Sequence, residues 1–168
     1  MLKKLENLLK KNKIFYQTIQ HKTVYTTFDL HQTTGIALKE IGKTLLVKAD
    51  KEFFLTVISG NRKLDLIKLK NLLNKALVKT ANARGEQFKK IKKLKIGSEI
   101  QIKRNFTKKI GALLPLGSFY KKRTIVDKLF LKNKKIILRA GDFKESIKMT
   151  TKNFVKLENP IIGSISKP

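Results

Sequence analysis

Two apolar runs separated by three charged residues constrain this chain more than any other feature. Lys43 to Ala49 and Phe53 to Ser59 are rich in Leu, Val, Ile and Phe, and Asp50-Lys51 stands between them. Branched and aromatic side chains suit a pleated, half-buried surface, and so short a break can close a hairpin. The pattern predicts paired strands with Asp50-Lys51 as their turn.

Around this pair the apolar spacing changes from segment to segment. Leu2, Leu5, Leu8 and Leu9 recur at helical spacing with lysines elsewhere on the wheel, which predicts an amphipathic helix packed on something. Phe15 to Gln20 reads as a short strand. Either Thr26 or Thr27 can cap a helix that reaches Thr34 and stops at Gly35. After the break at Gly60-Asn61-Arg62, Leu64, Ile67, Leu69, Leu72, Leu73 and Ala76 predict a second amphipathic helix. Residues 79 to 95 are polar and Lys-rich, and Phe88, Ile91 and Leu94 are spaced for a surface helix. From Gly97 to Ile102 the pattern suits strand or helix. Gly111 to Gly117 is a loop holding Pro115. Strands are expected around Thr124 to Val126, Ile136 to Leu138 and Ser146 to Met149, followed by a helix capped by Thr150 or Thr151 that carries Phe154 and Leu157. Strands and helices mixed without a regular βαβ alternation indicate an α+β fold, and the length of 168 residues suits a single domain over 1–168.

Several chemistries are unsupported. The chain has no cysteine, which removes disulfides, thiolate metal sites and a thiol nucleophile. His21 and His31 are the only histidines and form no His-Glu-x-x-His pair, which argues against a zinc site. There is neither a phosphate-cradling Gly-x-x-x-x-Gly-Lys-Ser/Thr loop nor a Gly-x-Ser-x-Gly elbow. The start, Met1 to Glu6, is too densely charged for a secretory signal, and no apolar run approaches membrane-spanning length, so a cytoplasmic protein without a membrane partner is expected. The formal charge of +27 attracts polyanions, and nucleic acids gain by releasing counterions to such a surface. Only five of the 39 basic residues are arginine, however, so a lysine-biased composition is a competing explanation.

What remains is an ordered set of short motifs: His21-Lys22-Thr23-Val24-Tyr25-Thr26, Gly42-Lys43-Thr44-Leu45-Leu46-Val47-Lys48, Ser59 to Leu69, Gly111-Ala112-Leu113-Leu114-Pro115-Leu116-Gly117, and Arg139-Ala140-Gly141 followed by Ser146. In this order and at these separations they resemble the YbaK/ProX-type aminoacyl-tRNA editing domain, over roughly residues 5 to 165. The resemblance implies a mixed, barrel-like sheet surrounded by helices. It implies hydrolysis of the ester that joins a wrong amino acid to transfer RNA, for instance alanine or another small residue on the transfer RNA for proline. It implies no metal or organic cofactor. The expected partner is mischarged transfer RNA, with an aminoacyl-tRNA synthetase as a further partner; the oligomeric state is left open.

The resemblance also carries roles. Lys43 matches the family's lysine in the Lys-Thr-Leu strand and would hold the ester and terminal nucleotide, as a point charge on a flexible stem suits a phosphate or developing oxyanion. Gly111 and Pro115 match a Gly-x-x-x-Pro loop whose amides would line the acyl pocket, and Gly141 matches a glycine facing the same pocket. His21 and Thr26 align with the pocket entrance, His21 in an orienting role and Thr26 as a helix cap or an orienter of water or the amino group. Arg62 and Asp65 match as structural residues, a surface ion pair and a helix start. This chain departs from the pattern in three places. Ala112, Leu113 and Leu114 fill a loop where many relatives have smaller residues, Ile19 replaces a tyrosine, and Arg139 stands where some members carry serine. If the loop leucines close the pocket, the alternative is a degenerate editing-like domain that only binds transfer RNA or other RNA.

Overall fold

The computed structural model describes residues 2–87 and 89–168. The chain runs through α1 (Lys3–Lys11), β1 (Gln17–Gln20), α2 (Thr27–Thr34), β2 (Gly42–Ala49), β3 (Glu52–Ser59), β4 (Lys63–Leu64) and α3 (Leu66–Arg84). It continues through β5 (Leu94–Ile96), α4 (Glu99–Asn105), β6 (Arg123–Asp127), β7 (Lys135–Arg139), β8 (Glu145–Thr150), α5 (Thr151–Glu158), β9 (Ile161–Gly163) and β10 (Ser166–Lys167). Short 3-10 turns, including Ile110–Ala112 and Gly117–Tyr120, fill the connections.

The predicted hairpin forms the centre of a five-stranded sheet ordered β5-β2-β3-β6-β9. β2 is antiparallel to β3 and β5, whereas β3-β6 and β6-β9 are parallel. A second, antiparallel sheet has the order β1-β8-β7, and β10 pairs with β4. The α+β class and the mixed sheet with helices around it are as the sequence implies. The five-stranded sheet does not close into a barrel among the described residues; β5 and β9 are its ends.

Strand alternation divides the hairpin's side chains between two cores. Val47, Phe54 and Ile58 face Leu69 and Leu73 of α3. On the opposite face, Val57 joins Leu5 and Leu9 of α1, Leu138 of β7, Ile147 of β8 and Phe154 of α5, while Leu46 and Leu55 pack on Leu113. Each such buried aliphatic or aromatic side chain contributes ~1.5–3 kcal/mol relative to exposure.

The helix ends follow the capping residues. Thr26 and Asp29 form a reciprocal capping box at α2, and Gly35 ends that helix at φ 71°. Asp65 accepts the N–H groups of Ile67 and Lys68 at the start of α3, and Ser98 with Gln101 boxes α4. Thr150 caps α5. The expected helix within 79–95 is not formed as such. Instead, α3 extends to Arg84 and ends at Gly85, φ 67°. Beyond it the amides turn sideways: Ile91 N–H donates to Asn74 Oδ1, and the Lys92 and Lys93 N–H groups donate to the Asp50 carboxylate. Those side-chain acceptors hold the segment extended into β5; Phe88 lies outside the described residues. Among the described residues Arg62 makes no ion pair of the kind expected; its Nε donates to Ser166 Oγ at 2.7 Å.

Candidate functional site

A cavity of about 320 Å³ lies along one edge of β2. Its walls come from three stretches far apart in sequence and one strand of the second sheet. Tyr25, Thr26 and Thr27 lead into α2; Gly42 to Leu45 open β2; Ile110, Gly111 and Leu113 belong to the long loop; and Arg139 ends β7. Among the expected site residues, Thr26, Lys43 and Gly111 therefore converge.

The β2 wall is an open strand edge. Residues of an antiparallel pair alternate in directing their main-chain groups toward or away from the partner strand. Ile41 C=O accepts from Gly60 N–H and Leu45 C=O accepts from the Thr56 hydroxyl, so the odd positions face β3. Leu46 C=O instead accepts from Gly97 N–H, on the outer edge. Gly42 and Thr44 share that outward orientation; β5 covers only Val47 to Ala49, and β7 touches the edge through an isolated parallel bridge from Ile137 to Ile41, so the stretch around Thr44 is the uncovered part. Lys43 is half-buried and sits opposite Ile58, at a position whose side chains share the α3 face with Leu45 and Val47. Thr44 takes the other face, with Leu46. The cavity touches four consecutive residues because it follows the edge rather than one face.

The entrance wall is tightly held. Asp29 Oδ2 accepts the N–H groups of Tyr25 and Thr26 at 3.1 and 2.9 Å, and Thr26 Oγ1 accepts from Asp29 N–H. These hydrogen bonds, those from the Thr26 and Tyr25 amides foremost, keep the Asp29 carboxyl below its ordinary pKa. Arg139 Nη1 and Nη2 donate to the carbonyls of Val24 and Thr26, both at 3.2 Å. Arg139 is only 5% exposed, and this burial pushes its guanidinium pKa down, against the pull of Asp29. Thr26 is thus a helix cap whose oxygen is already engaged.

Gly111 is a glycine because of contact rather than a positive φ. A Cβ there would lie 2.6 Å from the Tyr25 carbonyl oxygen and 3.2 Å from the Phe143 ring. At the rim, Lys109 pairs with Asp142 and lies 5.9 Å from the centre of the Phe143 ring, which packs against Tyr25. The hydrogen bond from Lys109 holds the Asp142 carboxyl at about 2, well under its usual range.

The other expected residues lie elsewhere. Pro115 is buried, between Leu114 and Leu116 in the α1–α5 core, and does not line the cavity. Gly141 also lies below it: at φ 80° its Cα backs onto Leu2 and Leu114, and a Cβ would meet Leu2 Cδ1 at 2.5 Å. His21 lines a separate groove with Ile19 and Gln32. Its Nδ1 lies 2.8 Å from Lys22 C=O and its Nε2 3.0 Å from Ser146 Oγ. The carbonyl can only accept, so Nδ1 carries the proton and Nε2 accepts from the Ser146 hydroxyl. These contacts tie His21 to Lys22 and to β8, outside the cavity. The loop leucines do not close the pocket: Leu113 forms part of one wall and Leu114 points into the core. A further hollow of about 380 Å³ lies between the β2–β3 turn and the end of α3, with Asp50, Glu52, Arg84 and Arg123 on its walls and none of the expected site residues.

Sequence reasoning missed Tyr25, Thr27, Thr44 and Ile110 as wall residues, and noted Arg139 only as a departure. Arg139 did leave a signal, one of five arginines following directly on the apolar run Ile136 to Leu138.

Residues 21–157 match the model of the aminoacyl-tRNA editing domain family. Among solved structures, hypothetical protein APE2540 superposes with a TM-score of 0.76 at 15% identity, covering 98% of this chain and 100% of that one. A candidate trans-editing enzyme for prolyl tRNA synthetase gives 0.70 at 16% identity, over 100% of this chain and 99% of that one. A protein from Marinobacter aquaeolei VT8 described as a candidate for signal transduction gives 0.69 at 17% identity, over 100% of this chain but 31% of its own. These likenesses concern the fold. No curated protein shows a significant match.

Proposed function

The chain belongs to the aminoacyl-tRNA editing domain family, and from that premise we propose that it is a trans-acting deacylase, hydrolysing the ester of a mischarged transfer RNA in the cytoplasm. The observation that carries the reading is the convergence of Lys43, Gly111 and Thr26 on one open cavity of about 320 Å³. That volume suits the ester of a small amino acid, such as alanine on the transfer RNA for proline. A wall that fits closely rejects a larger side chain by clash, while losing a methylene costs a smaller ligand only ~1–3 kcal/mol. The +27 surface would attract the acceptor arm, and an aminoacyl-tRNA synthetase is a natural further partner.

The lining holds no carboxylate, histidine or cysteine. With no base among the lining residues to activate a threonine hydroxyl, water is the nucleophile in this reading, and its proton passes to the substrate's own amino group, a ribose hydroxyl or solvent. Lys43 supplies positive charge to the developing oxyanion, and the outward Thr44 amide on the β2 edge is a donor of the kind such an oxyanion needs. The degenerate, RNA-binding alternative rested on the loop leucines closing the pocket, and the positions of Leu113 and Leu114 favour the hydrolase instead. The test is a panel of mischarged transfer RNAs incubated with the protein. Release of one small amino acid, faster than its spontaneous loss, is the expected result. An unchanged acyl ester across the whole panel would overturn the proposal.

A further inference from the structure

Three polar features of the cavity wall are left partly or wholly unused by the fold. Arg139 is almost fully buried, yet its guanidinium employs only two of its five N–H donors, both on main-chain carbonyls. Among the described residues, no carboxylate forms an ion pair with it; the ion pairs are Lys10–Glu6 and Lys109–Asp142. The Thr44 hydroxyl oxygen, on the same cavity, is buried without a hydrogen-bond partner among the described residues. The wall also carries two cations, Lys43 and Arg139, and no acidic residue.

Asp29 acts on Arg139 only at a distance, and a buried cation with spare donors and no carboxylate in contact favours an anionic ligand, which supplies both the close charge and the acceptors. We infer that Arg139 and Thr44 form an oxyanion subsite, at which the substrate places a carboxylate or a phosphate. The inference names one chemical group of the substrate and rests on this cavity being the ester site proposed above. The guanidinium fork presents parallel N–H groups to either anion, and the Thr44 hydroxyl adds a donor from the β2 side. Two sources could supply the group: an acidic side chain on the acyl moiety, or a phosphate of the terminal nucleotides.

The experiment is a titration of the whole protein followed by amide NMR shifts at Thr26 and Gly111, in ~150 mM salt so that the general surface field is screened. Two probe pairs distinguish the sources: aspartate against asparagine, and adenosine 5′-monophosphate against adenosine. The anionic member of one pair is expected to bind at least about tenfold tighter than its neutral partner, and Arg139→Gln is expected to bring that ratio close to one. Equal binding within both pairs, a ratio that survives in Arg139→Gln, or shifts confined to residues away from the cavity would each overturn the subsite. Arg139→Gln also releases the Val24 and Thr26 carbonyls. If that variant does not fold, Thr44→Val decides, since it keeps the side-chain shape and should weaken the anionic probe alone by about threefold or more. No loss of anion affinity in Thr44→Val would then count against the inference. The titration needs no turnover, so an inactive protein on the mischarged panel and a failed subsite are separate results.

Discussion

The two halves of β2 have different surroundings. From Leu46 to Ala49 the strand has neighbours on both edges, with Leu46 C=O bonded to Gly97 N–H, β5 paired alongside, and side chains buried in two cores. Beyond the Ile41–Ile137 bridge to β7, Thr44 and Leu45 have no strand paired along the outer edge among the described residues and border a cavity. One half is stabilised by packing and a full hydrogen-bond ladder. The other leaves Thr44 with a hydroxyl unpartnered among the described residues and an outward-facing main chain. A strand edge without a partner is ordinarily a liability that proteins cover; here the covering is withheld where a ligand would bind. Substitutions in the two halves should therefore report different quantities, stability in one and turnover in the other.

The largest effect should come from the covered half. Phe54, opposite Val47 and 2% exposed against α3, should cost ~3–5 kcal/mol when changed to alanine, read as a lower urea midpoint. A smaller loss would mean that α3 collapses onto the gap. Next, Lys43→Ala in the open half should lower turnover on the responsive mischarged transfer RNA by ~10²-fold, with the unfolding midpoint shifted by less than ~0.5 kcal/mol equivalent. A stability loss comparable to that of Phe54→Ala would erase the contrast between the halves.

Gly111→Ala should act through position alone. Its new Cβ would have to move away from the Tyr25 carbonyl, and a shift of that kind in a substrate-positioning wall should lower kcat/KM on the order of tenfold. Unchanged kinetics would show that the loop amides do not position the ester. The smallest effect is at the rim. Asp142 has a folded pKa of about 2, below its ordinary 3.8, so its contribution to stability is present above the ordinary value and is lost as pH falls through about 2. Because the Lys109 pair is solvent-exposed, Asp142→Asn should cost no more than ~1 kcal/mol near neutral pH. It should also flatten the acid limb of stability; an unchanged acid limb would place that sensitivity elsewhere.

The local fold was readable where spacing and capping agree, as in the β2–β3 hairpin, in α2 from Thr26 to Gly35, and in α5 after Thr150. It was unreadable where distant side chains determine the backbone. Nothing in the spacing of Phe88, Ile91 and Leu94 announces that Asp50, some 42 residues earlier, takes the Lys92 amide out of helical use. The very short strands β4, β9 and β10 are set by pairing across the chain and carry little periodicity of their own. The site divides in the same way. Lys43, Thr26 and Gly111 could be picked from motifs. Pro115 and Gly141 belong to the same motifs but lie beneath the wall, because Leu114 and Leu116 draw that part of the loop into the core. Arg139 stood out only as a departure from the family pattern, and only the folded chain shows it gripping the entrance.

That grip has a consequence for how such a pocket can change. Arg139, a side chain from the smaller sheet, helps to hold the segment that leads into α2, alongside Asp29 and the main-chain bond from Val24 to Phe143, so the cavity's width is coupled to the spacing between two sheets. A substitution deep among Ile136, Leu138 and Ile147 that moves β7 by a few tenths of an ångström would be carried by Arg139 to Val24 and Thr26. Substrate preference can therefore drift through interior residues that never meet a ligand.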